Sequence, residues 1–191
     1  AESDPHVDVV GTGRYEVHVR DVERRANGKT RTQRCACIYT PDGHCKYMLP
    51  EDRAQMLLEA FAERVRSHPK LAAKLKVGTP AEELYKLMCR NQQGAAVEGS
   101  TGRTVSHQEE AMLPSAIWDT LAEHLGPLQE RYASPLNYSR HTAVYWSMHK
   151  RDKLFGALYD SRQYQHSGVA ISHPPDDDKE AYLSIKHAVE D

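Results

Sequence analysis

Three groups of residues in this chain have the types and spacing to do chemistry. Cys35-x-Cys37, with His44 and Cys45, gathers four metal-capable side chains in one short stretch. Structural zinc usually takes pairs spaced two to four apart. A one-residue spacing within an alternating strand places both thiols on one face, which favours two small side chains packed side by side. No metal is assigned. A second group, Arg24, Arg25, Lys29 and Arg31 with Arg34 beyond, flanks Asn27-Gly28. A basic hairpin tip is a common way to meet nucleic-acid phosphate, though Glu23 dilutes the patch and a solvated turn that protects the hairpin edge is the alternative. The third group lies in the last third of the chain. Tyr132-Ala133-Ser134-Pro135-Leu136-Asn137 is followed by Leu154-Phe155-Gly156-Ala157, then by Ser167-Gly168 and His173-Pro174-Pro175-Asp176. Polar loop residues at the carboxyl ends of strands are where open α/β sheets hold ligands.

Other reactive types are scattered. Lys150, Arg151 and Lys153 make a second small basic cluster beside the third group. His141, His149 and His166 show no ligand spacing on one helix and read as surface residues. Cys89 has no His or second Cys beside it and reads as packing.

The elements that must position these residues follow from pattern. Residues 1–13 are a polar tail. Tyr15, Val17 and Val19 alternate with polar residues at the strand period. Asn27-Gly28 is a hairpin turn, and Pro41-Asp42-Gly43 a second turn, so residues 14–49 form an antiparallel meander. Helices follow. Pro50-Glu51-Asp52 opens one carrying Met56, Leu57, Ala60, Phe61 and Val65. Thr79-Pro80-Ala81-Glu82 opens another, with Leu84, Leu87 and Met88 as its buried stripe. Gln92 to Ser106 is a Gly/Ser/Thr-rich loop and the best boundary, dividing 14–106 from 107–191. Leu113-Pro114 starts a helix with Ile117, Trp118, Leu121 and Leu125, closed by Gly126. Leu128 to Ala133, Ala143 to Trp146 and Val169 to Ser172 follow as apolar or strand-like segments. Asp176-Asp177-Asp178 then begins a helix with Tyr182, Ile185 and Val189. The expected class is α/β, with half of an α/β sandwich at the C-terminal end.

Bulk properties exclude several classes. With 191 residues, 39% hydrophobic and 27% charged, the chain suits one domain or one domain with an appendage. A net charge of −2 gives no general attraction to nucleic acid, so RNA contact must come from a local patch. No apolar run approaches the roughly 20 residues needed to span a bilayer. Four Cys in a chain this long are not a disulfide scaffold and favour a reducing interior, nucleus and mitochondrion both remaining open. Ala1-Glu2-Ser3-Asp4-Pro5 has no initiator Met and no apolar signal region, as expected of a processed product or a fragment.

From about Leu113 to Val189 the chain resembles the phosphorylated-CTD-interacting-factor family, the cap-specific adenosine N6-methyltransferases. The resemblance rests on the helix ending in Gly126, the Ala133-Ser134-Pro135-Leu136-Asn137 run, Tyr145 and Ser147, Asp152 with Phe155-Gly156, and Ser167-Gly168 before Pro174-Pro175. It implies a partial S-adenosylmethionine-methyltransferase (Rossmann-like) sandwich. It makes Ser134, Pro135 and Asn137 the loop that helps hold S-adenosylmethionine. It also makes His173-Pro174-Pro175-Asp176 the position of the catalytic Asn-Pro-Pro-Phe signature.

That signature is altered where the reaction depends on it. Adenine N6 is a poor nucleophile, and in the family an Asn carbonyl orients it while an aromatic residue stacks on the base. His173 accepts a hydrogen bond only when neutral and through one nitrogen. Asp176 cannot stack and sets negative charge beside the substrate. Base–aromatic stacking is worth about 1–3 kcal/mol, roughly one to two powers of ten in binding. A complete domain of this kind also needs strands beyond residue 172, or a partner chain, to close the sheet. The leading expectation is therefore a non-catalytic subunit of a larger RNA–protein assembly. The rivals are an active RNA adenine N6-methyltransferase completed by a partner chain, and a regulator that binds S-adenosylmethionine without transferring the methyl group.

Overall fold

Alternating apolar residues in the first quarter of the chain produce a three-stranded antiparallel sheet in the order β1-β2-β3: β1 is Glu16–Ala26, β2 Lys29–Tyr39 and β3 Cys45–Pro50. In the computed structural model the residues described are 11–26, 29–92, 115–139, 141–163, 168–172, 182–183 and 185–186. The chain divides into two compact units, Ala1–His107 and Gln108–Asp191.

In the N-terminal unit Ala26 pairs with Lys29, so the hairpin has the two-residue connection that Asn-Gly favours. The second turn closes with Gly43 at φ +88° and its N–H donating to the Thr40 carbonyl at 2.8 Å. Three helices follow: α1 (Glu51–Ser67), α2 (Pro69–Leu75) and α3 (Pro80–Gln92). The α3 stripe is buried as expected, whereas in α1 only Leu57 and Phe61 of the expected stripe are buried, with Ala54, and Met56, Ala60 and Val65 are half-buried. Leu57 and Phe61 of α1 and Leu84, Leu87 and Met88 of α3 are at most 4% exposed. Each such side chain contributes about 1.5–3 kcal/mol on burial. Tyr85 of α3 sits between Tyr15 and Tyr47, with ring centroids 4.8 and 5.5 Å away, and so ties the helix to the sheet. Thr79 caps α3, its Oγ1 accepting from the Glu82 N–H at 3.2 Å. Glu83, in the same turn, has a buried carboxylate that accepts from the Gly78 N–H at 3.0 Å.

The C-terminal unit opens with α4 (Ser115–Leu125), which buries Trp118 and stops at Gly126, φ +77°, whose N–H donates to the Ala122 carbonyl. Four short strands follow: β4 (Leu128–Arg131), β5 (Thr142–Ser147), β6 (Leu158–Tyr159) and β7 (Val169–Ser172). All their pairings are parallel, in the order β6-β5-β4-β7. The protein is thus α/β, with an antiparallel sheet, a helical middle and a separate parallel sheet. β4 ends at Arg131 rather than Ala133, because Tyr132 adopts φ +62° and leaves the extended region.

The links between parallel strands carry no α-helix among the described residues. Residues 132–141 join β4 to β5 through a tight turn. A 3₁₀-helix, Lys150–Phe155, joins β5 to β6 and is closed by Gly156 at φ +94°. Another, Ser161–Gln163, follows β6. Tyr182 and Ile185, in the four helical residues described after β7, are 65% and 66% exposed. No helix is long and apolar enough to cross a membrane among the described residues.

Candidate functional site

The order β6-β5-β4-β7 fixes where a ligand site can form. The chain steps from β4 to β5 to β6 in one direction, then returns to the far side of β4 for β7. The connection leaving β4 runs toward β5, away from β7, and in open α/β sheets the carboxyl ends of strands at such a switch point are where ligands bind.

The loop after β4 carries the Ser134, Pro135 and Asn137 of the sequence expectation. Ala133 N–H donates to the Trp146 carbonyl at 2.9 Å, which continues the tie to β5 beyond the strand. The chain then turns, with the N–H groups of Asn137 and Tyr138 both donating to the Ser134 carbonyl, at 3.1 and 3.0 Å. Asn137 Oδ1 accepts from the Ser134 N–H at 2.6 Å and from Ser134 Oγ at 2.9 Å. Ser134 Oγ in turn accepts from the Leu136 N–H at 3.2 Å. Ala133, Pro135 and Leu136 are buried. Tyr138 stacks on Tyr145, with centroids 4.1 Å apart and planes 1° from parallel. The loop is a closed plug whose serine and asparagine oxygens are committed to each other.

Two further residues at strand ends stand out, Tyr132, which opens the run named from the sequence, and Asp160, which the sequence did not single out. Tyr132 holds a left-handed backbone, uncommon for a bulky side chain, directly after β4. Its phenolic oxygen is buried without a hydrogen-bond partner among the described residues. Asp160, φ +54°, holds the same place after β6. Its Oδ1 accepts from Arg162 Nε at 2.8 Å, and its Oδ2 from Gln163 Nε2 at 2.9 Å. Burial acts to raise the Asp160 pKa, but these hydrogen bonds and the Arg162 charge outweigh it and leave the carboxyl below its ordinary value. A depressed pKa adds stability above the unfolded-state value, about pH 4, and that stability is lost as pH falls through the folded value. Asp160→Asn should therefore melt lower than the wild type at neutral pH. Its melting temperature should also fall less steeply below about pH 4, as scanning calorimetry across pH would record.

Asp152, Phe155 and Gly156 brace the β5–β6 link. Asp152 is fully buried, and its Oδ2 accepts from Ser147 Oγ at 2.6 Å. Tyr145 Oη donates to the Phe155 carbonyl at 2.8 Å. Of the nearby basic cluster, Lys153 lies over the Tyr159 ring at 5.6 Å from its centroid. His173, Pro174, Pro175 and Asp176 lie outside the described residues, directly after β7, the other strand at the switch point.

In the N-terminal unit, Arg24 and Arg31 are register partners across the hairpin, and Arg25 faces Thr30. Arg31 is exposed. The side chains of Arg24, Arg25 and Lys29 lie outside the described residues. Arg34 pairs with Glu51 at 3.0 Å and is drawn out of the basic group. Among the described residues no three metal-capable side chains converge. An apolar groove of about 390 Å³ runs between β1–β2 and α1, past Val17, Val19, Ala36, Ala54, Leu58 and Ala62.

No family model, no curated protein and no solved structure matches this chain.

Proposed function

We propose that the C-terminal unit is a methyltransferase-like half-sandwich retained as a scaffold, and that the chain is a non-catalytic subunit of an RNA–protein assembly. The observation that carries this reading is the parallel order β6-β5-β4-β7 combined with a loop after β4 whose Ser134 and Asn137 oxygens bond each other. The strand order is the one expected of a Rossmann-like sheet up to its fourth strand. The self-satisfied loop, and His173 and Asp176 in place of an amide and an aromatic residue, support a site that has lost its reaction. β7 pairs only with β4 among the described residues, which leaves an edge that another chain can extend. The basic positions Arg24, Arg25, Lys29 and Arg31 support contact with RNA phosphate.

A second reading is favoured by the same switch point: an RNA adenine N6-methyltransferase using S-adenosylmethionine, with a partner chain completing the site. Titration calorimetry separates the two. The scaffold reading expects no heat with S-adenosylmethionine up to millimolar concentration. It also expects the native chain to sediment as part of a particle that shrinks on ribonuclease treatment. Saturable cofactor binding that weakens in Asn137→Ala, with methyl transfer to capped RNA by a monodisperse monomer, would overturn it.

A further inference from the structure

The ladder between β2 and β3 is not regular. Cys37 faces Met48 and Ile38 faces Tyr47, but Tyr39 faces Cys45, so Lys46 is an extra residue on β3. Such a bulge bends its strand and re-aims neighbouring side chains. Cys37 and Tyr39 lie on one face of β2, so pairing Cys45 with Tyr39 sets Cys45 diagonally across the ladder from Cys37. Both thiols are free. Cys37 is buried at 3% exposure, whereas Cys45 is half-buried and reachable from solvent. Cys45 Sγ lies 3.6 Å from the Tyr47 carbonyl oxygen. Arg20, whose guanidinium stands 5.3 Å from the centre of the Tyr39 ring, places positive charge beside both sulfurs.

We propose that Cys45 and Cys37 form a peroxide-responsive thiol pair, Cys45 reacting first and Cys37 resolving it into a reversible intramolecular disulfide. The chemistry balances with a hydroperoxide as the oxidant. The Cys45 thiolate attacks one peroxide oxygen, the O–O bond breaks, and hydroxide or alkoxide leaves, giving a sulfenic acid. The Cys37 sulfur then attacks the Cys45 sulfur. The S–O bond breaks, and the sulfenic oxygen leaves as water with the Cys37 proton. A dithiol reductant reverses the change by exchange.

The surroundings suit each role. The hydrogen bond from Cys37, then the Arg20 charge and backbone hydrogen bonds at Tyr47 and Ile38, hold the Cys45 thiol down to about 7 against the opposing effect of burial. Cys37 is pushed well up, first because it gives its proton to that bond and then by burial. The two titrate as a pair, one thiolate and one thiol. Once Cys45 is oxidised its negative charge is gone, and Cys37 is released to ionise. A nearby second thiol is what diverts a sulfenic acid to a disulfide instead of further oxidation. Cys45 and Cys37 are diagonal neighbours across the ladder, and the bulge is the point where the strands can shift to close the bond.

The test is peptide mass mapping of the full, reduced chain after brief exposure to hydrogen peroxide, with dimedone present to trap sulfenic acid. The expected result is a Cys37–Cys45 linked peptide, two hydrogens lighter than its reduced parts, and restoration by dithiothreitol. In Cys37→Ser the dimedone adduct should accumulate on Cys45. Cys45 left reduced while Cys89 or Cys35 oxidises, or Cys45 linked only between chains, would refute the pairing. Should Cys37→Ser not fold, the wild type still decides. Alkylation of Cys45 against pH should show a midpoint near 7, whereas a midpoint at the ordinary thiol value of about 8.5 or above overturns the proposal.

Discussion

Replacing Glu83 by Ala should destabilise the N-terminal unit by about 2–4 kcal/mol, the range for removing a buried, hydrogen-bonded charge. Glu83 is fully buried, yet it is the residue that fixes the start of α3. Its Oε1 accepts from the Gly78 N–H at 3.0 Å and from Lys86 Nζ at 3.3 Å. Alanine removes the acceptor and leaves a void next to Leu84 and Leu87, which are themselves fully buried. Glu83→Gln keeps a carbonyl for the Gly78 N–H and should recover about half of the loss. Hydrogen exchange of the α3 amides under native conditions would measure both variants. Equal protection in wild type and Glu83→Ala would show that the carboxylate holds nothing. Lys86 adds a pH signature. Its hydrogen bond to Glu82 and the charges of Glu83 and Glu82 raise its pKa above the ordinary value, in spite of some burial. A raised lysine pKa contributes fully below about pH 10 and is lost as pH climbs through the folded value.

The second large effect belongs to Asp152. Asp152→Ala should cost the C-terminal unit about 2–4 kcal/mol, because it strips the partner from Ser147 Oγ in a site with no solvent to replace it. Ser147 Oγ also accepts from the His149 N–H at 3.0 Å, so the loss reaches the start of the 3₁₀ turn. Asp152→Asn should recover most of the stability, since an amide carbonyl can still take the serine hydrogen. Both tryptophans, Trp118 and Trp146, lie in this unit, so their fluorescence in a urea titration reports its unfolding directly. A double-mutant cycle with Ser147→Ala should give a coupling of about 1 kcal/mol or more. Additive losses would mean that the bond contributes nothing of its own.

Much of the N-terminal unit was legible in the residues, because its signals are local. Asn27-Gly28, Pro41-Asp42-Gly43, the Thr79 cap and the Leu84-Leu87-Met88 stripe each act within a few positions. The bulge at Tyr39 was not legible. It sets Cys45 diagonally across from Cys37 through a register shift that no alternation pattern records. In the C-terminal unit β5 and β7 announced themselves as short apolar runs and β4 as a strand-like segment from Leu128, whereas β6, two residues long, is too short to carry a period. Lys150-Arg151-Asp152-Lys153 looks like a solvated charged turn, and only the contact with Ser147 explains why its Asp is wholly buried. The sequence placed Ser134 and Asn137 in one loop. That their oxygens satisfy each other depends on a turn geometry set by buried Pro135 and Leu136.

The two sheets also differ in how far along the chain their partners lie. In the N-terminal sheet Tyr39 meets Cys45 and Ala26 meets Lys29, a few residues apart. In the C-terminal sheet Leu128 must wait for Val169. Closing that longer loop costs about 2 kcal/mol more in chain entropy, at about 0.6 kcal/mol per doubling. The return is only four residue pairs, on a strand whose side chains are at best half-buried. β7 therefore returns little for the long loop it closes, and, with the two-pair β6, it is where local opening of the sheet is expected to begin. Any chain that lies along β7 removes that opening, so binding and the local stability of β7 rise and fall together.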